Sequence, residues 1–264
     1  MEKFKIIVCV KQVPGQTDAM MDYEKGTLIR DGIIAEVNPF DMYAIEEAIR
    51  LKERYGGEIE VISMGPPQSE TSLKEALAMG CDNAILLTDK KFAGADTLAT
   101  AYTLASGIRK IDTYDLIICG LKTTDGDTGQ VGPSLAEELG IPFIGYIRKI
   151  LNFEEKSICL ERSLDDYYEI VKSKLPVVIT VTKEANEPRY PSFKRQRMAK
   201  EASILIWGSE DLDSDMKKFG TEGSPTNVIK IFPPPSRRKG ELIKDKPNNQ
   251  AKIILEKLKE KKLI

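Results

Sequence analysis

Short apolar runs alternate with amphipathic stretches through residues 5–140 of the chain. KIIVCV (5–10), EIEVISMG (58–65), NAILLTD (83–89) and DLIICG (115–120) are near-continuous apolar runs of strand length and read as buried strands. Between them lie segments with helical spacing. Asn38-Pro39 opens the first, with Asn as N-cap and Pro at the first helical position. Its stripe is Ala44, Ala48 and Leu51 with Ile45 and Ile49, and Gly56-Gly57 ends it. Ser69 to Met79 is a second helix stopped by Gly80; Asp96 to Lys110 is a third, and Ser134 to Leu139 lies in a fourth. TLIRDGIIAEVN (27–38) reads as a small hairpin about Asp31-Gly32. Strands alternating with helices predict an α/β fold with a parallel sheet covered on both faces, its strand C-termini on one edge.

From about residue 146 the pattern changes. KSICLERSLDDYYEIVKSKLPVVITVT (156–182) reads as strand, turn, strand, strand, expected to add antiparallel strands to the same sheet. After Lys183 the core signal fades. Residues 186–200 carry two prolines and a basic cluster, 208–227 are rich in Gly, Ser, Asp and Thr, and Pro233 to Pro235 are stiff and extended. The last stretch, AKIILEKLKEKKLI, is a short amphipathic helix. The expected organisation is therefore an α/β domain over 1–183 and an arm over 184–264 that packs on something else.

Composition narrows the chemistry. The net charge of −2 gives no general pull toward nucleic acid or membrane, and no apolar run approaches the roughly 18 residues of a membrane span. The N-terminus does not read as a signal peptide, so a cytoplasmic protein is expected. Cys9, Cys81, Cys119 and Cys159 are scattered, without a CxxC pair, which argues against a disulfide framework or zinc site. The chain has no histidine, which excludes Ser–His and Cys–His nucleophile pairs and a histidine base. Any reaction here is expected to be carried by a cofactor or a partner.

Three features converge on the strand C-terminal edge: CVKQVPG (9–15), the helix start in VNPFDMYAIEEA, and the loop at 120–132. Helix N-termini with free N–H groups suit phosphate, and Gly126, Thr128 and Gly129 leave room for close backbone approach. Asp125 and Asp127 would repel phosphate and are better suited to accept from ribose hydroxyls or to cap the next helix. The loop is neither GxGxxG nor a P-loop, and an ordinary turn before a capped helix explains it about as well. Lys11 also reads as a solvated charge, Asn38 as a simple cap, and Cys9 and Met64 as core.

Taken in order, KIIVCVKQVP, VNPFDMYAIEEAIRLKE, ISMGP, KEALAMGCD, DGDTGQVGP and LPVVITVTKEANEPRYPSF resemble the beta (small) subunit of electron-transfer flavoproteins along nearly the whole chain. LERSLDDYYEIVKSKLPVVIT resembles the family's signature segment, departing from it at Leu160 and Tyr167. The resemblance implies a Rossmann-like nucleotide-binding fold of the HUP kind and a heterodimer with an alpha subunit that carries a flavin and is embraced by the C-terminal arm. Simple members bind AMP in beta. Here DGDTGQVGP, with Gly129 in place of a usual Ala, and KKFAGADTLATAYTLA (90–105) are similar to the electron-bifurcating members. That implies FAD in beta with NADH beside it, and electrons divided between ferredoxin and a flavin-dependent dehydrogenase of the acyl-CoA or lactate type; a simple carrier with AMP is the alternative.

On this resemblance Cys9, Lys11, Asn38, Phe40 and Asp41 line the adenosine or ring side, and Met64 ends the second strand. Asp96, Thr97 and Thr100 stand at a helix start. Gly120, Thr123, Asp125, Gly126, Asp127, Thr128, Gly129, Gln130 and Val131 carry the diphosphate and ribityl part. EPRYPSFKRQRMAK is similar to the family's recognition loop, with Phe193 as apolar anchor and Glu187, Arg189, Lys194, Arg195 and Arg197 around it; a solvated basic loop is the plainer reading.

Overall fold

The computed structural model describes residues 4–15, 21–22, 27–28, 35–154, 156–229, 240 and 242–264. Residues to Ile229 form one compact unit, and Lys230–Ile264 a second.

The first unit is built on a nine-stranded sheet. Its strands are β1 (Lys5–Cys9), β2 (Glu58–Met64), β3 (Asn83–Leu87), β4 (Leu116–Gly120), β5 (Phe143–Glu154), β6 (Ser157–Ser163), β7 (Tyr168–Lys174), β8 (Val177–Val181) and β9 (Leu205–Trp207). They lie in the order β7-β6-β5-β8-β4-β1-β2-β3-β9. From β5 to β9 all neighbours are parallel; β6 pairs antiparallel with β5 and β7.

The apolar runs are continuous because both sheet faces are covered, and successive side chains sort between two cores. On β1, Ile6 and Val8 enter the core beneath α1 (Pro39–Tyr55) and α2 (Glu70–Met79). Ile7 and Cys9 enter the core beneath α3 (Thr97–Ile111) and α4 (Val131–Leu139). β3 divides likewise, Ala84 and Leu86 against Ile85 and Leu87. Gly56 and Gly80 stand at the C-caps of α1 and α2, both at positive φ.

Several expectations need correction. LPVVITV is a buried run but not an antiparallel one: as β8 it lies parallel between β4 and β5, buried throughout. The twelve-residue β5 went unread because its period breaks at Tyr146, which sits at φ 62°, where the register against β8 also shifts. Residues 27–28 pair with 21–22, and 35–37 with 12–14, rather than with one another; the turn at Asp31-Gly32 lies outside the described residues, as do Pro233 to Pro235.

The chain beyond Lys183 adds to the first unit before leaving it. α5 (Phe193–Glu201) packs on α2 through buried Ala199, and β9 extends the sheet beside β3. Phe219 is buried against Phe92 and Tyr102, with Leu212 in the same core. Fully burying such a ring contributes about 2–3 kcal/mol. Those anchors are single residues spaced among polar ones, a pattern without periodicity.

In the second unit, α6 (Pro247–Glu260) is amphipathic, with Ile254 and Leu255 on its apolar side and no buried residue.

Candidate functional site

β1 leads to α1 on one face of the sheet, and β4 leads to α4 on the other. Adjacent parallel strands whose connections diverge leave a crevice beyond their C-termini, the place where open α/β sheets take ligands. Lys11, the first turn of α1 and the 120–131 loop all stand at this switch point.

Two side chains staple its walls together. Asn38 occupies the N-cap position of α1 but makes no side-chain cap. Its Nδ2 donates to the Lys122 carbonyl (2.9 Å), its Oδ1 accepts from Thr124 N (3.2 Å), and its backbone N donates to the Lys11 carbonyl (2.9 Å). Asp41, only 5% exposed, accepts from Lys11 N at 2.7 Å. Burial pushes its carboxyl up to about 7, while bonds from Asn38, Lys11 and Gly120 favour the ionised form. Both residues were expected at the site. The structure turns their polar atoms inward, toward the main chain that forms the rim.

Above the staple the loop is open. Thr124 to Thr128 are exposed, and a Cβ on Gly126 would meet only the Thr123 hydroxyl, at 3.4 Å. Thr123 shapes the turn: its hydroxyl accepts from Gly126 N, and its carbonyl from Asp127 N. Asp127 and Gly129 take positive φ, 52° and 62°. Gln130 is the N-cap of α4 and gives no side-chain cap. Among the described residues the N–H groups of Val131 and Gly132 have no acceptor, which leaves the positive end of α4 without a partner; Val131 is half-buried and Gly132 buried.

The acidic residues cap nothing. Lys11 Nζ holds both Asp125 oxygens, at 2.6 and 2.8 Å, and Lys122 Nζ holds Asp127 at 2.7 Å. Against partial burial, the Lys11 bond keeps the Asp125 carboxyl below its ordinary range. Lys122, which also lies 5.7 Å from the Phe40 ring centroid, escaped the sequence reading; its only signal was a place in the loop five residues before Asp127.

Cys9 and Cys119 face each other across β1 and β4, buried in the α3–α4 core. A hydrogen bond with Cys119, together with burial, raises the Cys9 thiol well above its ordinary range. Met64 packs partly buried on that same core. At the start of α3, Asp96 is an N-cap that accepts from Leu98 N and Ala99 N, while its second oxygen takes Thr226 N and Oγ1. Its carboxylate is thus occupied within the chain; Thr97 and Thr100 are half-buried.

The second candidate surface is the 187–200 segment. Tyr190 and Phe193 are 97% and 92% exposed, and Glu187, Lys194, Arg195 and Arg197 are exposed around them. Arg189 differs: its guanidinium grips Glu46 (2.8 and 3.1 Å) and Glu53 (2.5 and 3.0 Å) on α1. It anchors the segment to its own domain and is not free for a partner. Burial opposes it, but bonds from Arg189 and Arg50 hold the Glu46 carboxyl below its ordinary range.

The four cysteines are free, and among the described residues no group of three or more Cys, Asp or Glu is placed to hold a metal. No helix among the described residues is long and apolar enough to cross a membrane.

A doubly wound sheet with an open switch point and a short antiparallel extension defines a Rossmann-like α/β protein. More narrowly, the chain belongs to the electron transfer flavoprotein family, whose domain matches residues 25–208. It is 45% identical over 260 residues to the electron transfer flavoprotein subunit beta of Clostridium acetobutylicum, covering 98% of this chain and 99% of that one. It is 42% identical over 262 residues to the caffeyl-CoA reductase-Etf complex subunit CarD of Acetobacterium woodii (98% and 100% covered). To protein FixA of Azorhizobium caulinodans it is 41% identical over 239 residues (88% and 85%). The chain is of the beta type, and its work is electron transfer.

Proposed function

We propose that this beta subunit binds FAD at the β1–β4 switch point and serves electron bifurcation in a heterodimer with an alpha subunit. When bound there, FAD would supply the redox chemistry, hydride acceptance from NADH with the two electrons passed on separately, one to ferredoxin and one through the alpha-subunit flavin to a partner dehydrogenase.

The chain's own part is to bind and orient. The unpartnered N–H groups of Val131 and Gly132 at the start of α4 and the exposed turn at Gly126 suit a diphosphate approached by main chain. Asn38 and Asp41 hold the rim in register, and Lys11 and Lys122 balance the two acidic residues.

The observation that carries the reading is the open loop DGDTGQVGP at the switch point, with its uncapped helix start. The names of two relatives are compatible with it, CarD as part of a reductase–Etf complex and FixA. For the exposed surface around Phe193 we infer docking onto the flavin-dependent dehydrogenase, with the flanking cations steering the encounter; the site of action is the cytoplasm.

The test is the cofactor released on denaturing the purified heterodimer. Two FAD per heterodimer supports the proposal. One FAD with one AMP supports a simple carrier with AMP held in the same crevice, and no flavin at all overturns both.

A further inference from the structure

Lys11 is fixed at its base and exposed at its tip. Its backbone N donates to buried Asp41, and its carbonyl accepts from Asn38 N. The ammonium crosses from the end of β1 to Asp125 in the loop after β4, and the two side chains are 44% and 33% exposed. An ion pair this exposed is weakly stabilising, so it parts at little cost. Yet it spans the switch point, and a ligand seated between the ends of β1 and β4 must part it. Asp127 is held by Lys122, so separating Asp125 from Lys11 changes the balance of charge at one place only.

We propose that Asp125 is a displaceable partner of Lys11: the anionic group of an incoming nucleotide takes over the ammonium, and Asp125 turns out to water. The inference rests on the nucleotide site proposed above and makes that site selective for charged ligands. It also assigns Asp125 a role opposite to a ribose contact: the carboxylate competes with the ligand.

Two probes with the same base and ribose separate these roles. ADP and adenosine are titrated calorimetrically into the full-length chain freed of bound nucleotide, as wild type, Asp125→Asn, Lys11→Gln and the double variant. The expected result is that Asp125→Asn binds ADP about three- to tenfold more tightly, from loss of the competing pair and of one negative charge, with adenosine unchanged. Lys11→Gln weakens ADP alone, and in its presence Asp125→Asn confers most of its gain no longer. Weaker binding of either probe by Asp125→Asn, or an unchanged preference for ADP over adenosine, overturns the inference while leaving the site standing. A wild-type chain that binds neither probe overturns the site, and this inference with it.

Discussion

Gly120, the last residue of β4, lies directly against Asp41 in the first turn of α1. A Cβ built on Gly120 would overlap Asp41 Oδ1 and stand 2.9 Å from the Asp41 backbone N and 2.7 Å from the Phe40 carbonyl carbon. The rim of the crevice is closed by this contact, which leaves no space for even a methyl group. Gly120→Ala is expected to cost about 1–3 kcal/mol through overpacking against backbone that cannot move aside. A urea unfolding curve reads this directly; a midpoint equal to wild type would show that the two elements separate freely.

The Asp41 carboxyl, raised by burial from 3.8 to about 7, links stability to pH. A carboxyl raised in the folded chain contributes stability that is fully present below the unfolded value and is lost as pH climbs through the folded one. The contribution therefore falls away between about pH 4 and 7, by at most about 4 kcal/mol. Asp41→Asn cannot ionise and should flatten that part of the profile. Unfolding midpoints from about pH 5 to pH 8 should fall more steeply for wild type than for the variant. Parallel profiles would mean that Asp41 does not titrate in this window.

Arg189→Ala removes the main partner of Glu46, a buried carboxylate left with Arg50 alone. The expected loss is about 1–2 kcal/mol, with the slope of the urea transition unchanged. Restoring much of it by Glu46→Gln in the same chain would confirm that the cost is the orphaned charge.

Phe193→Ala should leave stability within about 0.5 kcal/mol of wild type, because the ring buries almost nothing in this chain. Cofactor content should also be unchanged. Electron delivery to the partner dehydrogenase, followed by stopped flow, should slow at least severalfold; an unchanged rate would remove Phe193 from the docking surface.

Gly129 sits at φ 62° with nothing nearer to an added Cβ than the Leu121 carbonyl at 3.5 Å. Gly129→Ala should cost only about 1 kcal/mol of backbone strain and keep the nucleotide. Gly129→Leu projects a bulky side chain over the open loop and should lower the nucleotide-to-protein ratio of the purified complex. Stoichiometric retention would place the ligand elsewhere.

Burial on both faces leaves a local record: a run such as KIIVC needs no distant partner to be read as a covered strand, and Gly56, Gly80 and Asp96 mark helix ends through their own backbone preferences. The chain alone therefore determined the alternating α/β layers, and it singled out the strand edge and the loop at which the site is proposed. Its ordered motifs also determined the family. Strand order was decided only in three dimensions, since β8 inserts beside β4 by pairing Val177 with Leu116, far apart in the chain. The same holds for the side chains of the site. Asp41, Asn38, Lys11 and Arg189 take their partners from segments 30 to 143 positions away. Whether such a polar group faces a ligand or its own main chain depends on which distant donor the fold brings to it, and no local spacing encodes that.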